Sequence, residues 1–334
     1  MVAPPRQKPP ALRPGSVLGV VAPASPLYNR GDTARARAAL KKLGFELKLG
    51  QHILDRRGYL AGENATRAED FMRVWCDPDV DGVLCMRGGY GSARIVDHLD
   101  FEQLAARPKV FVGYSDITTL HLALGKRANL VTFYGPMMRT FANPGDLSYI
   151  GPAFVRALTR IEPLGVIAPN PEDPWVETVN GGSVEAELVG GCLSLLANAI
   201  GTVDDVDWLG KIVCLEDVDE EPYAIDARLV QLLRAGKFEG VAGLVIAEHA
   251  GVEPREFRPA YPSTLSFEDV IDDLLRPLGV PTIYNLPLGH GVHLATLPLG
   301  VRARLDADAG QLEVLEAGVI EPAPEPPRPA TGSS

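Results

Sequence analysis

The chain has 334 residues, 46% of them hydrophobic and 22% charged, which is enough for two domains of ordinary size and unlike a fibrous or wholly disordered polymer. Its 32 Lys and Arg against 43 Asp and Glu leave a net charge of −11, which argues against nucleic acid or an anionic membrane as the main partner. Four cysteines stand singly at Cys76, Cys85, Cys192 and Cys214, as expected of free thiols in a reducing cytosol; the proline-rich start lacks a secretory h-region and no apolar run approaches a membrane span.

Residues 1–15 read as a flexible leader. Apolar patterning then predicts a strand over 16–21, a helix over 33–43 and a strand over 45–49. A helix follows over 64–76, with Asn64 or Thr66 as its N-cap. The runs 82–86 and 110–114 are short and continuously apolar, as in buried parallel strands, and each leads through a small or polar residue into a helix. This alternation predicts an α/β domain over 16–140, a parallel sheet with helices on both faces. Proline and glycine accumulate over 141–183, which reads as a linker or interdomain crossing. Periodicity resumes in a second β/α domain over 184–318. Its expected strands are 184–189, 211–215, 241–247 and 282–285; its expected helices are 193–200 (entered through Gly190-Gly191), 222–235 and 267–275. A closing hairpin spans 301–315. The tail over 319–334 is proline-rich and expected to be disordered.

Ser115 draws attention first. It follows the strand Lys109-Val-Phe-Val-Gly-Tyr and precedes a helix, so it sits on a sharp turn at the carboxyl end of a parallel sheet, where open α/β sheets bind ligands. Two readings are open. Ser115 is either a nucleophile on an elbow or the N-cap of the helix over 116–125, and the usual G-x-S-x-G is broken by Ile117. A second glycine-rich turn, Arg87-Gly-Gly-Tyr-Gly91, could bring the Gly89 amide beside that of Asp116 as paired oxyanion donors, although a tight turn explains it equally. Its spacing matches neither a dinucleotide nor a P-loop fingerprint, so no nucleotide cofactor is expected. A serine nucleophile needs a base and an orienting carboxylate. Of six histidines, His98 and His121 fall on or beside helices, His52 lies in a loop, and His249 follows an apolar strand. His290 and His293 lie in Leu288-Gly-His-Gly-Val-His293, where glycines clear space around His290; Glu216 and Asp217 end a strand.

Taken together these motifs resemble the LD-carboxypeptidases, the muramoyl-tetrapeptide carboxypeptidase family of serine peptidases. The resemblance spans about residues 16–316 and rests on Ala22-Pro-Ala-Ser-Pro26, Arg87-Gly-Gly-Tyr-Gly91, Gly113-Tyr-Ser-Asp-Ile-Thr118, Gly190-Gly-Cys-Leu-Ser-Leu-Leu196, Leu215-Glu-Asp217 with Glu221-Pro-Tyr223, and Leu288-Gly-His-Gly291 with Leu297-Pro-Leu-Gly300. It implies an N-terminal domain like class I glutamine amidotransferases, a C-terminal swivelling β/α domain, and a triad of Ser115 as nucleophile, His290 as base and Glu216 as orienter. It further implies a cytosolic homodimer with neither metal nor cofactor, acting on murein-derived peptide. Cys192 departs from the asparagine more usual in relatives. Arg87 or Arg139 could grip a terminal carboxylate; Tyr90 and Trp175 are further candidates for substrate contact, Trp175 by stacking on a base if the chain follows the related microcin-immunity branch, which cleaves aminoacyl–nucleotide amides. A non-catalytic binding module of the same shape is the alternative of another class. A glutamine amidotransferase would need cysteine at position 115.

Overall fold

The structure, a computed structural model, describes residues 5–253 and 260–323. Its two sheets follow from two stretches of strand–helix alternation. The first sheet is built from Val17–Val21 (β1), Glu46–Leu49 (β2), Gly82–Cys85 (β3), Val110–Gly113 (β4) and Thr132–Tyr134 (β5), in the order β5-β4-β3-β1-β2 and all parallel. The second contains Gly165–Val166 (β6), Glu177–Asn180 (β7), Ser183–Cys192 (β8), Lys211–Glu216 (β9), Gly243–Ala247 (β10) and Thr282–Leu286 (β11). Next in the chain comes Leu297–Leu299 (β12), which returns to the first sheet and pairs antiparallel with β5. The hairpin Arg302–Asp306 (β13) and Gln311–Val314 (β14) then closes the second sheet, whose order is β6-β14-β13-β8-β9-β10-β11-β7. The architecture is two α/β domains that share a strand across their boundary.

Helices form where apolar residues recur on one face. They are Gly31–Lys42 (α1), Asn64–Cys76 (α2), Phe101–Ala106 (α3), Thr118–Arg127 (α4), Met138–Ala142 (α5), Leu147–Thr159 (α6), Leu193–Asn198 (α7), Pro222–Arg234 (α8) and Phe267–Leu274 (α9). In α2 the buried set Ala68, Phe71, Val74 and Trp75 has helical spacing and faces the sheet. Its cap differs from expectation: Glu63 holds the N-cap position, and Asn64 is the first helical residue, its Oδ1 accepting from Arg67 at 2.7 Å.

Two further expectations are corrected. The stretch over 141–183 is not simply a linker, because it contains α6, whose face Ile150, Phe154, Ala157 and Leu158 is buried. Pro152 lies in its second turn, and reading it as a breaker hides the helix. Residues 5–15 do not form a free leader. Gln7 N–H donates to Asn129 O at 2.7 Å, Ala11 N–H to Ile320 O at 2.8 Å, and Ala11 and Leu12 are buried. The same contacts order the start of the expected tail, where Val319 is buried; the tail's residues 324–334 lie outside the described residues. Gly190-Gly191, expected to lead into the helix over 193–200, does so as the last part of β8, which runs through Cys192 into α7. Both glycines continue β8 beside Cys214 and Leu215, at φ 140° and 146°, and a Cβ at Gly190 would overlap the Cys214 carbonyl.

Candidate active site

The carboxyl ends of β4, β5 and β9 converge with the loop between β11 and β12, residues 287–296. That loop starts in the second sheet and ends in the first, so each of its ends is fixed in a different domain. This placement brings Ser115, Glu216 and His290 together from positions 74 to 175 residues apart.

Ser115 is not a helix cap. The chain leaves β4 through Tyr114, and Ser115 adopts φ 66° at the head of a short 3₁₀ turn, Ser115–Ile117, before α4 begins. A left-handed backbone at a non-glycine residue costs on the order of 1–3 kcal/mol and persists only where surrounding contacts enforce it. Here two contacts do so. Ser115 N–H donates to Tyr134 Oη at 3.1 Å, and His121 Nε2–H donates to the Gly113 carbonyl at 2.8 Å. Burial lowers the His121 pKa to about 4, so the ring is neutral and serves as a fixed donor below the elbow.

Glu216 ends β9 and is 2% exposed. Its Oε2 accepts from His290 Nδ1–H at 2.8 Å and its Oε1 from the Tyr134 hydroxyl. Gly289 makes this approach possible: at φ 85° it lays bare backbone against the carboxylate, and a Cβ there would overlap Glu216 Oε2. Burial by itself would lower the His290 pKa; the Glu216 charge and hydrogen bond outweigh it, so the net value lies above the ordinary histidine range. Tyr114 meets the other edge of the imidazole, with ring centroids 4.9 Å apart. Tyr134 therefore holds both the elbow and the acid. Nothing in its sequence setting marks it, because β5 is only three residues long.

The Gly-Gly turn abuts the elbow. A Cβ at Gly88 would lie 2.8 Å from Ser115 Cβ, 3.0 Å from its Oγ and 3.3 Å from Asp116 N. Gly88, passed over in the sequence in favour of Gly89, is thus the residue packed on the serine, while Gly89 at φ 104° packs on Ser25. Ser25 explains the Ala22-Pro-Ala-Ser-Pro26 motif: its Oγ accepts from Tyr90 N–H at 3.1 Å and its N–H donates to Gly88 O at 3.3 Å. The buried Asp116 carboxylate accepts from Ser92 N–H at 2.8 Å and latches the same turn to the elbow. Burial raises its pKa. At Cys192, the thiol lies 3.4 Å from Asp217 Oδ1 and the amide donates to Thr118 Oγ1 at 3.0 Å.

Ser115, Gly89, Arg87, Arg139 and His290 line one cavity of about 510 Å³, with Glu216 behind His290. Among the described residues no hydrogen bond joins the Ser115 hydroxyl to the His290 ring, and contacts of this kind commonly tighten only around substrate. Two candidates are not brought there. Tyr90 packs its ring on Tyr59 at 5.7 Å, and Trp175 lies on the second domain, its ring 6.5 Å from Tyr284. His249 stacks on Phe267 instead. Among the described residues no group of three His, Cys, Asp or Glu is arranged to hold a metal ion, and no helix is long and apolar enough to cross a membrane.

Two family profiles match the chain, the LD-carboxypeptidase N-terminal domain over residues 18–135 and the LD-carboxypeptidase C-terminal domain over 185–305. The chain is 38% identical to a protein of Bacillus subtilis (strain 168) named probable murein peptide carboxypeptidase, over 94% of this chain and 96% of that one. The chain belongs to the LD-carboxypeptidase family. Membership places it among the serine carboxypeptidases. The crystal structure of muramoyltetrapeptide carboxypeptidase from Oxalobacter formigenes is 30% identical to this LD-carboxypeptidase and overlays with a TM-score of 0.78, covering 92% of this chain and 100% of the other. The Microcin C7 self-immunity protein MccF of Escherichia coli is more distant, 25% identical over 83% of this chain and 86% of its own.

Proposed function

We propose that the chain is an LD-carboxypeptidase that removes terminal D-Ala from a murein tetrapeptide, with Ser115, His290 and Glu216 as its triad. The observation that carries the triad is the Glu216–His290–Tyr134–Ser115 arrangement at the junction of the two sheets. In this reading Ser115 Oγ attacks the carbonyl between the L-centre of diaminopimelate or lysine and D-Ala, and His290 Nε2 takes its proton. The oxyanion lies against the amides of Gly89 and Asp116. Glu216 holds Nδ1–H and stabilises the imidazolium. His290 then gives the proton to the leaving D-Ala amine, and water, deprotonated by His290, releases the tripeptide and restores Ser115. Arg87 and Arg139, on the cavity wall, would hold the D-Ala carboxylate. Burial and the neighbouring Arg139 charge both lower the Arg87 pKa, a cost that a bound anion would offset.

The reading extends to a cytosolic homodimer in peptidoglycan recycling. Buried reduced thiols at Cys85, Cys192 and Cys214 suit the cytosol, and the dimer rests on family resemblance. The microcin-immunity alternative, an amidase for aminoacyl–nucleotide conjugates, is less favoured because Trp175 lies away from the cavity that holds Ser115. Mass spectrometry of products from a tetrapeptide and an aminoacyl–nucleotide amide, each with wild type and Ser115→Ala, tests all of this. Release of D-Ala by wild type alone is expected. Turnover of only the nucleotide conjugate would sink the murein reading, undiminished turnover by Ser115→Ala would sink the triad, and no turnover of either substrate by wild type would leave a binding module.

A further inference from the structure

The cavity that holds Ser115 is lined by groups of both charge signs. Arg87 and Arg139 are on its wall, and the Arg139 charge acts on Arg87, as do Tyr28 and Tyr114. Val218 and Asp219 line the same cavity, and the Asp219 charge acts on His290. Asp219 follows β9 in the loop to α8. Its φ of 54° is left-handed, a conformation aspartate tolerates better than most L-residues. The loop is fixed from below: Asp219 N–H donates to Ala250 O at 2.9 Å, Val218 and Ala250 form a bridge, and Gly251 leaves room for the carboxylate, since a Cβ there would lie 2.8 Å from Asp219 Oδ1.

Its acidic neighbours are engaged. Asp217 accepts from Ser194 N–H and Val218 N–H, Glu220 pairs with Arg228, and Glu221 accepts from Ala260 N–H. The Asp219 carboxylate alone of these has no hydrogen-bond or ion-pair partner among the described residues, and it is exposed on the cavity wall. A fixed backbone presenting an unpaired carboxylate in the same cavity as two guanidiniums and Ser115 suits a substrate that carries both an anionic and a cationic group.

We propose that Asp219 receives the side-chain ammonium of a diamino acid on the acyl side of the scissile amide, so that the site selects peptides whose penultimate residue carries that charge. The inference rests on the carboxypeptidase reading, in which the D-Ala carboxylate meets Arg87 and Arg139. Peptides ending in Lys–D-Ala and norleucine–D-Ala test it, because the two differ by one ammonium group. Wild type should favour the Lys peptide by about tenfold in kcat/KM, and Asp219→Asn should bring that ratio near one. A ratio unchanged by Asp219→Asn, or no preference in wild type, overturns the proposal. Calorimetry with the same peptides separates the two readings. Ser115→Ala should bind the Lys peptide about tenfold more tightly, and Ser115→Ala/Asp219→Asn should bind both alike. Should wild type cleave neither peptide, the carboxypeptidase reading falls and the calorimetric ratio still decides the role of Asp219.

Discussion

Glu216 is a buried carboxylate with two donors, His290 Nδ1–H and the Tyr134 hydroxyl, and those partners make its burial tolerable. Its effect on His290 has a definite sign. The imidazole must be neutral to accept the Ser115 proton, and its pKa is raised, so kcat/KM should fall on the acid side at a pH above the ordinary histidine value of about 6.5. Glu216→Gln removes the charge that favours imidazolium, so the acid limb should move to lower pH while kcat falls by about 10²–10⁴-fold. A pH–rate profile of both proteins checks it; a limb that stays in place would show that Glu216 does not govern His290. Tyr134→Phe leaves the Ser115 N–H without its acceptor and should cost about 1–3 kcal/mol in urea unfolding. It also strips a donor from Glu216, so the carboxylate charge is less compensated and the acid limb should move up. A purely structural tyrosine would lower stability without moving that limb.

At the scale of elements, the loop over 287–296 does most to position the chemistry. β11 and β12 anchor its ends in different sheets, Asp146 N–H donates to Val292 O at 3.2 Å in its middle, and the buried His293 faces the Asp146 carboxylate at 3.3 Å. Gly289→Ala needs a Cβ where Glu216 lies and a left-handed backbone besides. Expected is a loss of about 100-fold or more in kcat, with an unchanged far-ultraviolet circular dichroism spectrum because no strand or helix is touched. Leu297→Ala acts from the other end. It empties a site that is 1% exposed in β12 and should cost about 2–5 kcal/mol, with faster amide hydrogen exchange over 287–296 than in β1 or β3. Uniform exchange across both would show that β12 does not anchor the loop.

Over the whole molecule, the two domains are joined by more than a chain crossing. One apolar core runs from Leu18 and Val112 in the first sheet to Leu188 and Ala303 in the second, Leu122 of α4 packs into the second domain's own core, and Arg127 makes a bidentate pair with Asp204 at 2.6 and 2.7 Å. The N-terminal segment fastens the same seam: Arg6 Nε donates to Glu187 Oε1 at 2.8 Å in the second sheet, while Gln7 bridges to Leu130 beside the first. Deleting residues 1–12 should lower stability in urea by at least about 2 kcal/mol, the burial of Leu12 alone accounting for that much. An unchanged midpoint would show the segment to be passive.

Local pattern was enough to read β1 to β4, α2, the closing hairpin and the turn at Ser115, because a buried parallel strand is a continuous apolar run and a packed helix repeats its apolar face. The family resemblance added the roles proposed for Ser115, Glu216 and His290. Three features depended on distant contacts. Pro152 hides α6 from any local reading, and the three-residue strands β5 and β12 are too short to carry a period. The left-handed backbone at Ser115 is set by Tyr134, 19 residues later in the chain. That Ser115 is an elbow and not a cap was therefore decided in three dimensions: a strained φ exists only where tertiary contacts enforce it, and those contacts leave no local mark in the sequence.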